Sequence, residues 1–315
     1  MAGTQPGTST GFYPQPNEFT CGPYALKHAL VALGRPVDAA EIAATAKTHW
    51  WSGTNEIQLA RAAREHDCDL RLERRASAED ARKELIRCLR ATSPVLLCVD
   101  KWEHWITVVR YEDRRFVVID SELDPVLAVL TWPELRKRWC FHDIEYHHSD
   151  PPVLYDLFAV EPRFKTAVKA DFSVERVKFL RRPTNHALAH HWNQYLEDLL
   201  DICKPASERI QEPLSMGEFL RRHQEILVSR VVHWHGEVAR EEILRILRYL
   251  RFVSETYGLV IPAAATRRAV VDLAVLVTMW SCAVNPIGEM YGESGPKKRR
   301  RTVKKTSANK VSRSR

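Results

Sequence analysis

Between positions 95 and 160 the chain contains five short runs rich in β-branched and aromatic residues, at 95–99, 106–111, 116–119, 127–130 and 155–160. Runs of this kind bounded by turn residues are strands. Glu112-Asp113 separates the second from the third and reads as a turn, so those two should pair as an antiparallel hairpin. Ahead of these runs the pattern is mostly helical. One helix starts at Cys21 and stops at Gly34, and a second is opened by Asp38-Ala-Ala-Glu41, a capping-box variant. A third starts at Thr54 or Asn55 and runs to about Glu65, and a fourth is capped by Ser77 and ends before Pro94. Leu70-Arg-Leu-Glu73 alternates like an exposed strand, and Thr131-Trp-Pro-Glu134 caps a helix set among the strands. Helices followed by an antiparallel sheet define an α+β fold.

After Pro162 the character changes to long helical periodicities, at 186–202, 216–232, 236–257 and 265–284, with proline or glycine between them. The expected organisation is residues 1–162 as the α+β domain, 163–292 as an all-helical domain and 293–315 as a disordered basic tail. The formal net charge is +7, but the segment from Pro296 onward holds ten Lys or Arg and no acid, which leaves −3 for the rest. Basic character therefore belongs to the tail. Its charge fits binding of nucleic acid or another polyanion, or nuclear import in a eukaryotic cell; no aromatic residue interleaves with the cations to read single strands.

The chemistry starts from Cys21, in Gln15-Pro-Asn-Glu-Phe-Thr-Cys21-Gly22-Pro23-Tyr24. A cysteine attacks as thiolate, and the positive end of a helix dipole favours a negative charge at its first residue. Pro23 is tolerated in a first helical turn. His104 precedes Trp105-Ile-Thr-Val-Val-Arg, so a strand would fix its direction, and Asp120 closes the next strand, where a hairpin brings it back toward His104. An acid there holds the imidazole in the tautomer that accepts a proton from the thiol. Gln15 stands six residues before Cys21 in a Pro-flanked loop, where its amide N–H joins the Cys21 backbone N–H as an oxyanion hole.

This ordered set, Gln15, Cys21-Gly22, Leu33-Gly34, Ser52-Gly53-Thr54, His104-Trp105 and Asp120, resembles the papain-like cysteine peptidases, most closely the bacteriocin leader-processing (double-glycine) branch. The resemblance covers the N-terminal half. It implies a papain-like fold, a Cys21-His104-Asp120 triad with Gln15 at the oxyanion, no cofactor, and a peptide or protein substrate. Pro23-Tyr24 departs from the small residue frequent after Cys-Gly in that branch. The expected function is a cysteine peptidase or related acyl-transfer enzyme. The alternative is a catalytically inert papain-like adaptor that acts through the helical domain and the basic tail.

Other residues carry less. His186 and His190 share a helical face, but the glutamate of a zinc-protease motif is missing, so no metal is expected. Trp102 and Trp105 flank His104 as shields against water; Trp50-Trp51 either lines a cleft or packs inside. The seven scattered cysteines suggest reduced thiols, and no secretory signal is visible, which together point to the cytoplasm. The apolar stretch 269–284 contains Asp272 and reads as a buried helix rather than a membrane span. Nothing in the sequence sets the oligomeric state.

Overall fold

A computed structural model describes residues 11–142, 153–164, 170–206, 210 and 212–284. The basic tail, with its expected disorder and polyanion binding, lies outside the described residues.

The first half begins with helices α1 (Cys21–Ala32), α2 (Ala39–Ala46) and α3 (Glu56–Glu65), then strand β1 (Cys68–Arg75) and helix α4 (Ala78–Arg90). Strands β2 (Val95–Val99), β3 (His104–Glu112), β4 (Arg115–Ile119) and β5 (Leu127–Thr131) follow, then helix α5 (Trp132–Trp139) and strands β6 (Phe141–His142) and β7 (Val153–Pro162). The helix starts follow the capping chemistry: Asp38 accepts from Ala40 N, Asn55 and Gln58 form a capping box, and Ser77 accepts from Asp80 N. One antiparallel sheet runs in the order β1-β7-β2-β3-β4-β5, with β6 paired to β7. Asp113 and Arg114 both have positive φ, the backbone that a tight β3–β4 turn requires.

Both faces of the sheet are covered, which is why all five residues of β2 are buried. Leu96 and Cys98 face one way, with Trp105 and Phe158, into the cluster formed by α1, α2 and α3. Val95, Leu97 and Val99 face the other way, with Ile106 and Val108, against α4 and α5. The period of two in a strand thus sorts adjacent residues into two cores. Each buried Leu, Val or Phe contributes about 1.5–3 kcal/mol relative to exposure.

The second half holds α6 (Val174–Leu180), α7 (His186–His190), α8 (Trp192–Leu200), α9 (Met216–Arg222), α10 (Gln224–His235), α11 (Arg240–Thr256) and α12 (Thr266–Val284). A small sheet accompanies these helices, with β10 (Leu259–Pro262) between β8 (Lys204–Pro205) and β9 (Pro213–Ser215). The expected helices at 186–202 and 216–232 are each broken, at His191 and His223. The helix expected at 265–284 forms as α12, but its stretch 269–284, expected to be buried, leaves Val271, Val275 and Met279 exposed, four residues apart on one side. Among the described residues no helix is long and apolar enough to cross a membrane.

The two halves share a core. Val31 and Ala32 of α1, Val117 and Ile119 of β4, and Val126 and Leu127 belong to the same buried cluster as Phe172, Trp192, Leu250 and Tyr257. The helical half therefore covers the outer strands of the sheet on the face that α1 occupies further in. The segment before α1 is drawn into this seam at Phe12, which is 1% exposed and packs on Phe172 and Tyr257 with ring centroids 5.2 and 5.3 Å away.

Candidate active site

Cys21 is the first residue of α1, reached through a 3-10 turn, Glu18–Thr20, that Asn17 caps by accepting from Phe19 N at 3.1 Å. Thr20 supplies no side-chain cap to α1, so the first-turn N–H groups stay directed at whatever sits beside the thiol. The thiol is buried, 5% exposed, at the meeting of α1 and the sheet. Gly22 lets the 54 region approach: a Cβ there would lie 3.1 Å from Thr54 Cβ and 3.5 Å from Leu59 Cδ2. Thr54 is held from two sides, by Trp105 Nε1 donating to its carbonyl at 3.1 Å and by a hydroxyl pair with Thr48 at 2.8 Å. Thr54 therefore has little room to give. Gly22→Ala gains about 1 kcal/mol of helix propensity but meets an overpacking cost of about 1–3 kcal/mol. A net loss is expected, read in a thermal melt as a Tm lower by roughly 2–4 °C.

His104 opens β3, after a β2–β3 loop in which Asp100, Lys101 and Trp102 all take left-handed backbone. Its Nε2 lies 2.8 Å from Asp120 Oδ1, and both side chains are buried. Its other nitrogen, Nδ1, stands 3.5 Å from Glu122 Oε1, and Cys21 lies close enough to the ring to favour its charged form. Burial opposes a charge on His104, but bonding to Asp120 and Cys21 and the Asp120 and Glu122 charges outweigh it and push the pKa up to about 9. Burial likewise opposes charge on Asp120, and is outweighed by hydrogen bonds from His104 and Arg138, which bring it down to about 2.

Arg138, near the end of α5, donates from Nη1 to Asp120 Oδ2 at 2.8 Å and from Nη2 to Asp100 Oδ2 at 2.6 Å. It ties the triad acid to the loop that leads into His104. Gln15 lies against the residue after that acid. Its backbone N–H donates to the Ser121 carbonyl at 2.9 Å, and the Ser121 hydroxyl donates to Gln15 Oε1 at 2.6 Å. The amide oxygen is thus occupied, and Nε2 donates to Asn17 O at 3.0 Å with its second hydrogen unassigned.

The structure brings His104 and Asp120 into direct contact, sets Cys21 beside the His104 ring, and joins Gln15 to Ser121. Arg138, Ser121 and Glu122 were not singled out in the sequence. The basic run Arg136-Lys137-Arg138 looks there like an ordinary complement to a helix C-terminus. The shielding expected of two tryptophans divides: Trp105 is buried in the Cys21 cluster, whereas Trp102 is 40% exposed and stacks on Phe141 at 4.1 Å. Internal packing of Trp50 and Trp51 is overturned, since they are 73% and 58% exposed. They sit on a short loop closed by the His49–Gly53 bridge, too narrow to bury two indoles. Next to it a cleft of about 250 Å³ is lined by Thr54, Leu72, Cys98, Trp102, Trp105 and Phe158, among others.

His186 and His190 stack at 6.2 Å on α7. Among the described residues, the one group able to offer a metal three donors is His104, Asp120 and Glu122. Its fit is poor, because the Asp120 oxygens are already engaged by His104 and by the Arg138 cation.

No protein-family model matches the chain, and no curated protein matches it. Among solved structures, the peptidase domain of Streptococcus ComA, a bifunctional ABC transporter of a quorum-sensing pathway, is similar over 48% of this chain and 96% of its own. The identity is 17% and the TM-score 0.34. A double-glycine-motif protease from an AMS/PCAT transporter, solved with its leader peptide, is similar over 48% of this chain and 91% of its own, at 12% identity and a TM-score of 0.36. The peptidase domain of Streptococcus mutans ComA covers 46% of this chain and 97% of its own, at 14% identity and a TM-score of 0.30. Two of these neighbours are peptidase domains of ComA and one is a double-glycine-motif protease, and each is similar over about half of this chain.

Proposed function

We propose that the chain is a cysteine peptidase or a related acyl-transfer enzyme acting on a peptide or protein. One observation supports this reading: a buried thiol at the first residue of a helix lies beside a buried imidazole whose Nε2 is held by a buried carboxylate. In this reading His104, held charged at neutral pH, already carries the proton that the Cys21 thiol has given up. Cys21 attacks a carbonyl carbon, forming the S–C bond, and His104 delivers that proton to the leaving group as its bond to the carbonyl carbon breaks. Asp120 orients His104, and the Cys21 N–H with Gln15 Nε2 stabilises the oxyanion. Water discharging the acyl-enzyme makes a peptidase, and an amine or thiol makes a transferase. A reactive thiol is best kept in reducing surroundings, in keeping with the cytoplasmic expectation.

The test is competitive alkylation by iodoacetamide, read by mass spectrometry. Cys68, Cys88, Cys98 and Cys203 are buried with pKa values pushed up by burial, so they are slow by construction. The fair comparators are Cys140 and Cys282, which are partly exposed. Cys21 is expected to react at least about tenfold faster than either, despite being less accessible. Equal or slower labelling of Cys21 removes the nucleophile assignment.

A further inference from the structure

We propose that the helical half belongs to the acyl-transfer apparatus, because Asn193 and Arg181 fasten the two segments that hold Gln15, which makes both positioning residues for the oxyanion donor. The inference rests on the reading of Gln15 just given.

Gln15 has few anchors of its own. Its amide is set by the Ser121 hydroxyl on Oε1 and by Asn17 O on Nε2, and its backbone by the Ser121 carbonyl, so beyond its own turn its place depends on two chain segments, the one before it and the one around 120–127. The helical half grips both. Upstream, Asn193 Nδ2 on α8 donates to the Phe12 carbonyl at 2.9 Å, three residues before Gln15. Gly11 lies flat on the same side chain: a Cβ there would sit 2.8 Å from Asn193 Cγ and 2.9 Å from Asn193 Cβ. Downstream, Arg181 Nη1 donates to the carbonyls of Pro125 and Leu127 at 3.1 and 2.8 Å. That loop returns to the triad acid, since Asp120 N donates to Val126 O at 2.8 Å.

Packing alone does not hold the seam. A cavity of about 230 Å³ lies between the two segments and the helices, lined by Pro14, Asp124, Leu180, Trp192 and Gln194 among others. Side chains bordering a void lack contacts on that side, so Tyr13 and Pro14, which line it, are packed on one side only, and the polar clamps add to the hold that Phe12 supplies just upstream of Gln15. Catalysis is sensitive to such placement: a displacement of about 1 Å at a reacting centre costs on the order of 10²-fold, and loss of one oxyanion donor costs about 10²–10³-fold. A helical half acting only in recruitment would predict no effect of these clamps on a minimal substrate.

The experiment uses the full chain and p-nitrophenyl acetate, with the burst of p-nitrophenolate as readout. The Cys21 Sγ–C bond forms, the C–O bond to p-nitrophenolate breaks, and the thiol proton leaves through His104. Iodoacetamide alkylation is measured alongside, because displacement at a saturated carbon develops no oxyanion and reads only Cys21 with His104. Gln15→Ala is expected to slow acylation about 10²–10³-fold and Asn193→Ala about 10–10²-fold, while alkylation of Cys21 stays within roughly twofold of the parent. The double variant should be no slower than Gln15→Ala alone, since a clamp that acts through Gln15 has nothing left to act on. Arg181→Ala should give the same signature, and it serves if Asn193→Ala fails to fold.

Unchanged acylation in both clamp variants, a parallel loss of acylation and alkylation, or effects that multiply with Gln15→Ala would each overturn the proposal. A parent protein with no burst at Cys21 defeats the peptidase reading and the proposal with it. A normal parent burst with clamp variants that match it defeats the proposal alone.

Discussion

Asp120→Asn is expected to lower the acyl-transfer rate by about 10⁴-fold in a chain that still folds. Three donors converge on this carboxylate: His104 Nε2 and the Glu122 backbone N–H on Oδ1, and Arg138 Nη1 on Oδ2. An amide has one acceptor oxygen for these two positions. Turned one way, its NH₂ faces the Arg138 cation; turned the other, it faces His104 and the Glu122 N–H. The second orientation also places the imidazole proton on Nδ1, where it cannot accept from Cys21. In both, the negative charge that stabilises the imidazolium is gone. Arg138→Met added to Asp120→Asn removes one of the competing donors, and recovery of about tenfold in rate is expected from relief of that unpaired contact.

Stability follows the same groups. His104 titrates near 9 in the fold against an ordinary 6.5, so its contribution is complete below pH 6.5 and is lost as the pH rises through 9. Asp120 titrates at about 2 against an ordinary 3.8, so its contribution is present above pH 3.8 and is lost as the pH falls through 2. The pair therefore stabilises most between pH 3.8 and 6.5. Thermal melts from pH 5 to pH 10 should show the parent losing Tm toward pH 9, with the fall flattened in Asp120→Asn. An alkaline fall that persists unchanged in the variant would separate it from this pair.

Features set by local chemistry were legible in the sequence. The Asn55 and Ser77 caps, the stop at Gly34 and the β3–β4 hairpin each depend on residues within a few positions of one another, and each lies where the pattern put it. Features set by distant contacts were not. No local signal breaks the helical period at His191 or His223, where α8 and α10 turn to pack against α11 and α12. The small β8-β10-β9 sheet pairs runs of two to four residues separated by over forty positions, too short for periodicity to register. In the candidate site the spacing pointed to the four side chains but not to what holds them. Arg138 reaches Asp120 only because α5 is laid across the sheet, and Ser121 reaches Gln15 across 106 residues of sequence.

Trp139→Ala tests that placement of α5, and it carries the largest expected loss of stability, about 3–5 kcal/mol. Trp139 is 1% exposed in the core beneath α5, edge-on to Tyr155 at 5.3 Å, with Nε1 donating to the Asp156 carbonyl on β7 at 2.8 Å. The helix has eight residues, too few to hold itself in water, so its position depends on the capping box at Thr131–Glu134 and on this indole. Trp139 directly follows Arg138. An alanine leaves a large void that the rigid sheet cannot close, and the last turn of α5 is free to shift, taking the guanidinium from Asp120 and Asp100. Denaturant unfolding should show the lost stability, and the acylation rate of the folded fraction should fall with it. Trp139→Phe separates the two contributions: it keeps most of the packing and forfeits the hydrogen bond, for about 1–3 kcal/mol. If α5 acts on the triad only as a carrier of Arg138, Trp139→Phe keeps most of the acylation rate, and Trp139→Ala combined with Arg138→Met is no slower than Arg138→Met alone.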